Sequence, residues 1–186
     1  MLTNFIASEI IVPRGKLMII TDIQKIRSIA NYQFGKGAGT ALFDNNVKLV
    51  KSPVTGRIRY IYDELGNLIA SLRSYDGLLA LALEGGRRLL KFFPPPKLRV
   101  MVNDAAREYV LRGNDVFSKF VVDADKYIRP GQEVIVVDEL DNLLAVGKSI
   151  LAGYEMKYFK SGIAVKVRHY RKQSNLKTDL KLAGEI

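Results

Sequence analysis

Three consecutive prolines, Pro94-Pro95-Pro96, constrain this chain more than any other feature. Proline lacks a backbone N–H and fixes φ at about −65°, so neither a helix nor a central strand runs through three of them. They are the expected boundary between a first unit, residues 1–96, and a second, residues 97–172, followed by a polar tail over 173–186 read as mobile. With 186 residues, 48% of them hydrophobic, each unit has the material for its own core.

The second unit reads as short strands with glycine at the corners. Residues 98–102 form one strand, and Asn103-Asp104 caps a helix over 105–111 that Arg112-Gly113-Asn114 closes. Further strands are expected over 116–122, 133–137, 143–151 and 162–170, with a hairpin turn at 138–142. Many short strands with one early helix define a small, strongly curved β-barrel.

In the first unit Thr21-x-x-Gln24 has the form of a capping box. Ile20, Ile23, Ile26 and Ile29 recur behind it at helical spacing, which predicts a helix over 22–32. The following Gly35-Lys36-Gly37-Ala38-Gly39 has the alternating glycines of a phosphate-cradling loop, but such a loop needs a strand before it and a helix after it. A helix precedes it here, and strands at 47–51, 57–62, 68–73 and 78–81 predict an antiparallel meander instead of a dinucleotide fold. A second helix is expected over 84–93. The fold class is therefore α+β: a small α+β domain with an antiparallel sheet, then a β pseudobarrel.

Composition narrows the function. The absence of cysteine excludes disulfides and thiolate zinc sites, and one histidine is too few for a His-built metal centre, so no metal or cofactor is expected. No apolar run is long enough to span a membrane, and the apolar N-terminal stretch, 1–12, lacks a basic leader and a cleavage site; a cytoplasmic protein without a membrane partner is the reading. A net charge of +10 points to an anionic partner such as nucleic acid. The basic residues concentrate: Lys157, Lys160, Lys166, Arg168, Arg171 and Lys172 follow one another with no acid between. Strand alternation places Lys166 and Arg168 on one face with Ala164 and Tyr170, and turns Ile163, Val165 and Val167 to the core. Tyr158 and Phe159 are expected in the core as well. Asp138, Glu139 and Asp141 are spaced in a way that invites comparison with a calcium loop. That loop's glycine and distal glutamate are missing, and a hairpin turn is the better account. His169 has no nucleophile in a recognisable pattern near it and is read as an exposed side chain.

The order of the second unit resembles the PUA domain. The likeness rests on Arg112-Gly113-Asn114, Phe117-Ser118-Lys119-Phe120-Val121-Val122, Ile128-Arg129-Pro130-Gly131, Ala145-Val146-Gly147-Lys148 and Gly162-Ile163-Ala164-Val165-Lys166-Val167-Arg168. PUA domains are RNA-binding pseudobarrels that dock RNA against the first helix, the loop and strand after it, and the last strand. The resemblance implies contacts from Arg112, Gly113, Asn114, Ser118, Lys119, Lys166, Val167 and Arg168, to which the basic run adds Lys160 and Arg171. Gly113 has two compatible roles: close approach of an RNA backbone, or a helix-ending glycine.

The first unit, through Ala30-Asn31-Tyr32-Gln33-Phe34-Gly35-Lys36-Gly37-Ala38-Gly39, Thr55-Gly56-Arg57-Ile58-Arg59-Tyr60-Ile61-Tyr62 and Glu84-Gly85-Gly86-Arg87-Arg88, resembles the accessory C2 domain that precedes PUA in archaeal archaeosine tRNA-guanine transglycosylase and archaeosine synthase. Residues 1–96 carry 13 basic and 7 acidic side chains. Lys36, Arg57, Arg59, Arg73, Arg87, Arg88 and Lys91 are second-tier RNA candidates, with helix-end charge an alternative for Arg87 and Arg88. Nothing matches the family's catalytic barrel, so no catalytic residue is carried over. The expected function is non-catalytic RNA binding, with tRNA the implied ligand and tRNA modification the implied setting. The alternatives are an accessory subunit completing a separate tRNA-modifying catalytic chain, and a ribosome- or translation-associated PUA protein. Alanine at both Lys166 and Arg168 is expected to weaken RNA binding with little effect on folding.

Overall fold

The computed structural model describes residues 8–11 and 17–172; the tail over 173–186 and most of the N-terminal apolar stretch lie outside them. β1 (Ser8–Ile11) and β2 (Leu17–Ile20) form an antiparallel ribbon. α1 (Asp22–Phe34) starts at the capping box: Gln24 N–H donates to Thr21 Oγ1 (3.3 Å) and Thr21 N–H to Gln24 Oε1 (2.9 Å). Ile26, Ala30 and Phe34, spaced by four, form its buried stripe.

The glycines after α1 join two helices. Gly35 (φ 114°) ends α1, and Gly37 (φ 88°) begins the short α2 (Ala38–Leu42), a helix that local pattern does not predict. A Cβ on Gly39 would stand 2.4 Å from the Arg27 carbonyl oxygen, so that glycine lets α2 lie directly on α1. β3 (Lys48–Lys51), β4 (Ile58–Tyr62), β5 (Leu68–Leu72) and β6 (Leu79–Leu81) form the expected meander, and α3 (Leu83–Phe92) follows.

In the second half, β7 (Arg99–Val102) leads into α4 (Asp104–Leu111), capped by Asn103, whose Oδ1 accepts from Ala106 N–H (3.1 Å). The strand expected over 116–122 is interrupted: β8 (Val116–Phe117) and β9 (Val121–Ala124) flank a 3₁₀ turn at Ser118–Phe120 and pair with different strands. β10 (Glu133–Val137), β11 (Leu143–Ser149) and β12 (Ile163–Tyr170) complete a six-stranded sheet in the order β8-β12-β11-β10-β7-β9, with β7 and β10 parallel. Its concave side closes on Val100, Val102, Ala106, Val110, Val134, Val136, Met156 and Val165.

The other side of that sheet is also covered. Ile135, Val137 and Val146 join the same buried cluster as Ile26, Phe34, Ile61, Ile69 and Leu89 of the first half. Gly86 of α3 makes this contact possible, because a Cβ there would meet Val146 Cγ1 at 2.6 Å. Burial on both faces explains why every residue of β10 is buried.

One turn recurs. In Asp63-Glu64-Leu65-Gly66-Asn67 the Asp63 carboxylate accepts from Asn67 N–H (2.7 Å) and Nδ2 (2.9 Å). Asp138 does the same for Asn142 (2.8 and 3.0 Å), so the acidic cluster is a hairpin turn. The fourth position has positive φ in both, 85° at Gly66 and 61° at Asp141. Asp141 is held there by Arg99, whose Nε and Nη2 donate to its two oxygens at 2.6 and 3.0 Å.

Candidate nucleic-acid interface

α4 ends at Arg112, and Gly113 (φ 89°) turns the chain, its N–H donating to the Val110 carbonyl at 2.9 Å. The space a Cβ would fill on Gly113 is occupied by the Tyr170 ring, 2.6 Å away. Of its two roles, the helix-ending one is therefore visible in the fold. Asn114 Nδ2 donates to the Tyr109 carbonyl (3.1 Å), and Val167 N–H donates to Asp115 Oδ1 (2.8 Å), tying the corner to β12. Around it Arg112 is exposed, with Glu108 at 3.3 Å, and Lys119 is exposed above the Phe120 ring.

Several expectations need correction. Ser118 is 1% exposed and its hydroxyl donates to the Gly162 carbonyl, so it is a link between β8 and β12 and not a surface contact. Tyr158 and Phe159 are exposed, not core. His169 is half-buried, and its pKa lies below the usual value because of burial and the neighbouring Arg168. The expected alternation in β12 holds over Val165–Arg168, with Lys166 and Arg168 outward and Val167 packed against the core, and fails at its start: Ala164 and Val165 are both buried, while Ile163 is exposed. The ladder slips between Ile163 and Val165 on the β8 side and between Val146 and Gly147 on the β11 side, which breaks the period of two.

Arg168, although outward, is already partnered. It lies beside Glu133, a carboxylate 1% exposed at the start of β10, and donates to it twice, from Nη1 (2.6 Å) and Nη2 (2.9 Å). The pair raises the Arg168 pKa further above its ordinary value. Glu133 also accepts from Leu81 N–H (3.0 Å) and has Arg73 Nη1 at 3.7 Å, so it joins β6, the β5–β6 turn and β12. Arg168 is consequently no simple exposed cation, and its alanine variant is expected to affect folding.

Lys166, by contrast, is exposed, and it sits directly opposite Lys148 in the β11–β12 ladder. Neither lysine is ion-paired among the described residues, although like charges facing each other across strands repel. Lys148 is not among the contacts expected from the sequence, where it stands 18 positions from Lys166 and apart from any other charge. Lys160 is exposed; Arg171 is half-buried, its backbone N–H donating to the Leu144 carbonyl (2.8 Å). Of the second-tier residues, Lys36, Arg57 and Arg59 are exposed. Arg87 pairs with Glu84 (2.6 Å), and Arg88 spends its donors on Glu84, Asp44 and the Leu42 carbonyl.

The curved sheet closed by an early helix, with cations along its last strand, defines a PUA-domain protein, and residues 98–171 match that family. Residues 24–96 match the patch-forming domain C2 of tRNA-guanine transglycosylase, and the chain belongs to the proteins that join these two domains. It is 47% identical over 147 residues to the tRNA-guanine(15) transglycosylase of Methanobrevibacter smithii, covering 79% of this chain and 22% of that protein. It is 40% identical over 173 residues to that of Methanosphaera stadtmanae, covering 91% and 25%. The chain thus spans about a quarter of the length of the curated relatives it matches. A hypothetical protein of Pyrococcus horikoshii has a similar fold, with a TM-score of 0.58 and 23% identity over 84% of this chain and 94% of that one. So does a PUA domain protein of Thermoplasma acidophilum, with a TM-score of 0.51 and 17% identity over 83% and 91%.

Proposed function

We propose that this chain is a non-catalytic RNA-binding protein that holds tRNA through phosphate and shape contacts and works in tRNA modification. The observation that carries the reading is the Lys148–Lys166 pair. Two ammonium groups opposite each other, neither in an ion pair among the described residues, are stabilised when a phosphate chain lies across them; Glu133, the ladder partner of Lys148 on β10, is buried and bound to Arg168. Arg112 and Lys119 flank the Gly113 corner and extend the positive field over the surface used in the PUA family. The kinship with tRNA-guanine(15) transglycosylases supports tRNA as the RNA.

A second reading makes the chain the RNA-holding part of a transglycosylase whose catalytic portion lies elsewhere. Its support is that the match covers only 22–25% of each of those two relatives. Filter binding of a folded tRNA transcript against salt tests the first reading. Affinity should fall with salt, and Lys148→Ala with Lys166→Ala should lower it by about 1–3 kcal/mol and flatten the salt slope by about 1–2. A salt slope near zero, or equal affinity for unstructured RNA, would remove its basis. A separately supplied catalytic chain whose base exchange depends on this one would establish the second reading.

A further inference from the structure

The β3–β6 sheet is covered by helices on one face only. Ile61 and Ile69 pack inward, while the register Val50, Tyr60, Ser71 runs across the opposite face, where Val50 is 44% and Tyr60 37% exposed. The ladder irregularity between β3 and β4, where Arg59 has no partner, leaves Arg59 and Tyr60, successive residues, both toward solvent. The result is a groove of about 600 Å³ lined by Arg57, Arg59, Arg73, Tyr60 and Tyr75 together with serine and threonine hydroxyls, and no carboxylate lines it. Asp76, at the rim, is bound to Arg73 at 3.0 Å. Arg57 has no ion-pair partner among the described residues, and Arg59 has only the Tyr60 ring, 5.9 Å away.

Arg73, on the wall of the groove, connects it to the second half. Arg73 lies over the Tyr75 ring at 5.4 Å and reaches Glu133 at 3.7 Å; Glu133 holds Arg168, two residues along β12 from Lys166. The ion-paired cluster of Arg73, Glu133 and Arg168 therefore stands between the Lys148–Lys166 pair and the open sheet.

We propose that the open face of the β3–β6 sheet, from Tyr60 and Tyr75 to Arg57 and Arg59, is a second binding site that takes an unpaired stretch of RNA. Arginines spaced along a groove neutralise successive phosphates, hydroxyls donate to phosphate and sugar oxygens, and exposed tyrosine faces stack on bases. A base-paired helix presents no free base faces to the tyrosines; a single strand does. An acidic polypeptide would satisfy the arginines and leave the rings unused, which is why the strand of RNA fits better. The inference deepens the RNA-binding reading and rests on it.

The test uses the full chain with two probes, a folded tRNA transcript and a twelve-nucleotide oligouridylate, and two variants, Arg57→Ala/Arg59→Ala and Lys148→Ala/Lys166→Ala. Oligouridylate affinity should fall at least about fivefold in the arginine variant, with a salt slope lower by about 1.4, two phosphates' worth for a single strand. Ultraviolet crosslinking should place the oligonucleotide on peptides carrying Tyr60 or Tyr75. Unchanged oligouridylate affinity in the arginine variant, with tRNA binding still weakened by the lysine variant, overturns the groove and leaves the RNA reading standing. Failure of the unmodified chain to bind either RNA overturns both. Binding of poly-glutamate, but not oligouridylate, that depends on Arg57 and Arg59 assigns the groove to an acidic protein instead.

Discussion

Glu133 organises the residues around it. A carboxylate 1% exposed, with a bidentate arginine, a second arginine and a backbone N–H, is stable only while those partners stay. Glu133→Ala should cost about 2–4 kcal/mol in urea denaturation, because it leaves Arg168 and Arg73 without their shared anion. Arg168→Ala should cost a comparable amount by stranding the carboxylate, whereas Lys166→Ala should stay within about 0.5 kcal/mol. Lys148 with Lys166, and not Lys166 with Arg168, is thus the pair whose removal should weaken RNA binding with little effect on folding. His169 supplies a pH dependence. Its folded pKa is below the unfolded value of about 6.5, so above that pH it contributes nothing. As pH falls through 6.5 the unfolded chain takes up a proton that the folded one refuses, and stability drops until the folded pKa is passed. His169→Gln should therefore lose less stability than the unmodified chain between pH 7.5 and 5.5, measured by urea midpoints at each pH. Equal losses would show that His169 is not the responsible group.

At the scale of elements, close helix contact depends on single glycines. Gly39→Ala should push α2 from α1, since the new methyl would stand 2.4 Å from a backbone carbonyl that has nowhere to move. About 1–3 kcal/mol and a lower thermal midpoint are expected. Most elements were legible: the capping box, the meander and α3 follow from local pattern. α2 was not, because a five-residue helix that follows one glycine and contains another has no periodicity to detect and exists through its packing on α1 and α3. The break in alternation at the start of β12 was equally invisible, since a ladder slip depends on partner strands far away in sequence.

At the scale of the whole molecule, the two halves share a buried cluster across the proline connector. Ile135, Val137 and Val146 would face water if the first half were removed. Unfolding in urea should be a single transition by far-ultraviolet circular dichroism and tyrosine fluorescence alike, and residues 97–186 alone should bind a hydrophobic dye. Two separate transitions would show that each half is stable by itself.

The amino-acid sequence by itself determined the order and kind of nearly every element, the turns built on Asp63 and Asp138, the basic excess and the family. These depend on interactions within a few positions or on composition. Which cations remain open to a ligand was decided only by the tertiary structure. Arg168 meets Glu133 and Lys166 meets Lys148 across strands, at separations of 35 and 18 residues, and the electrostatic state of a side chain depends on what folding places within a few ångströms of it.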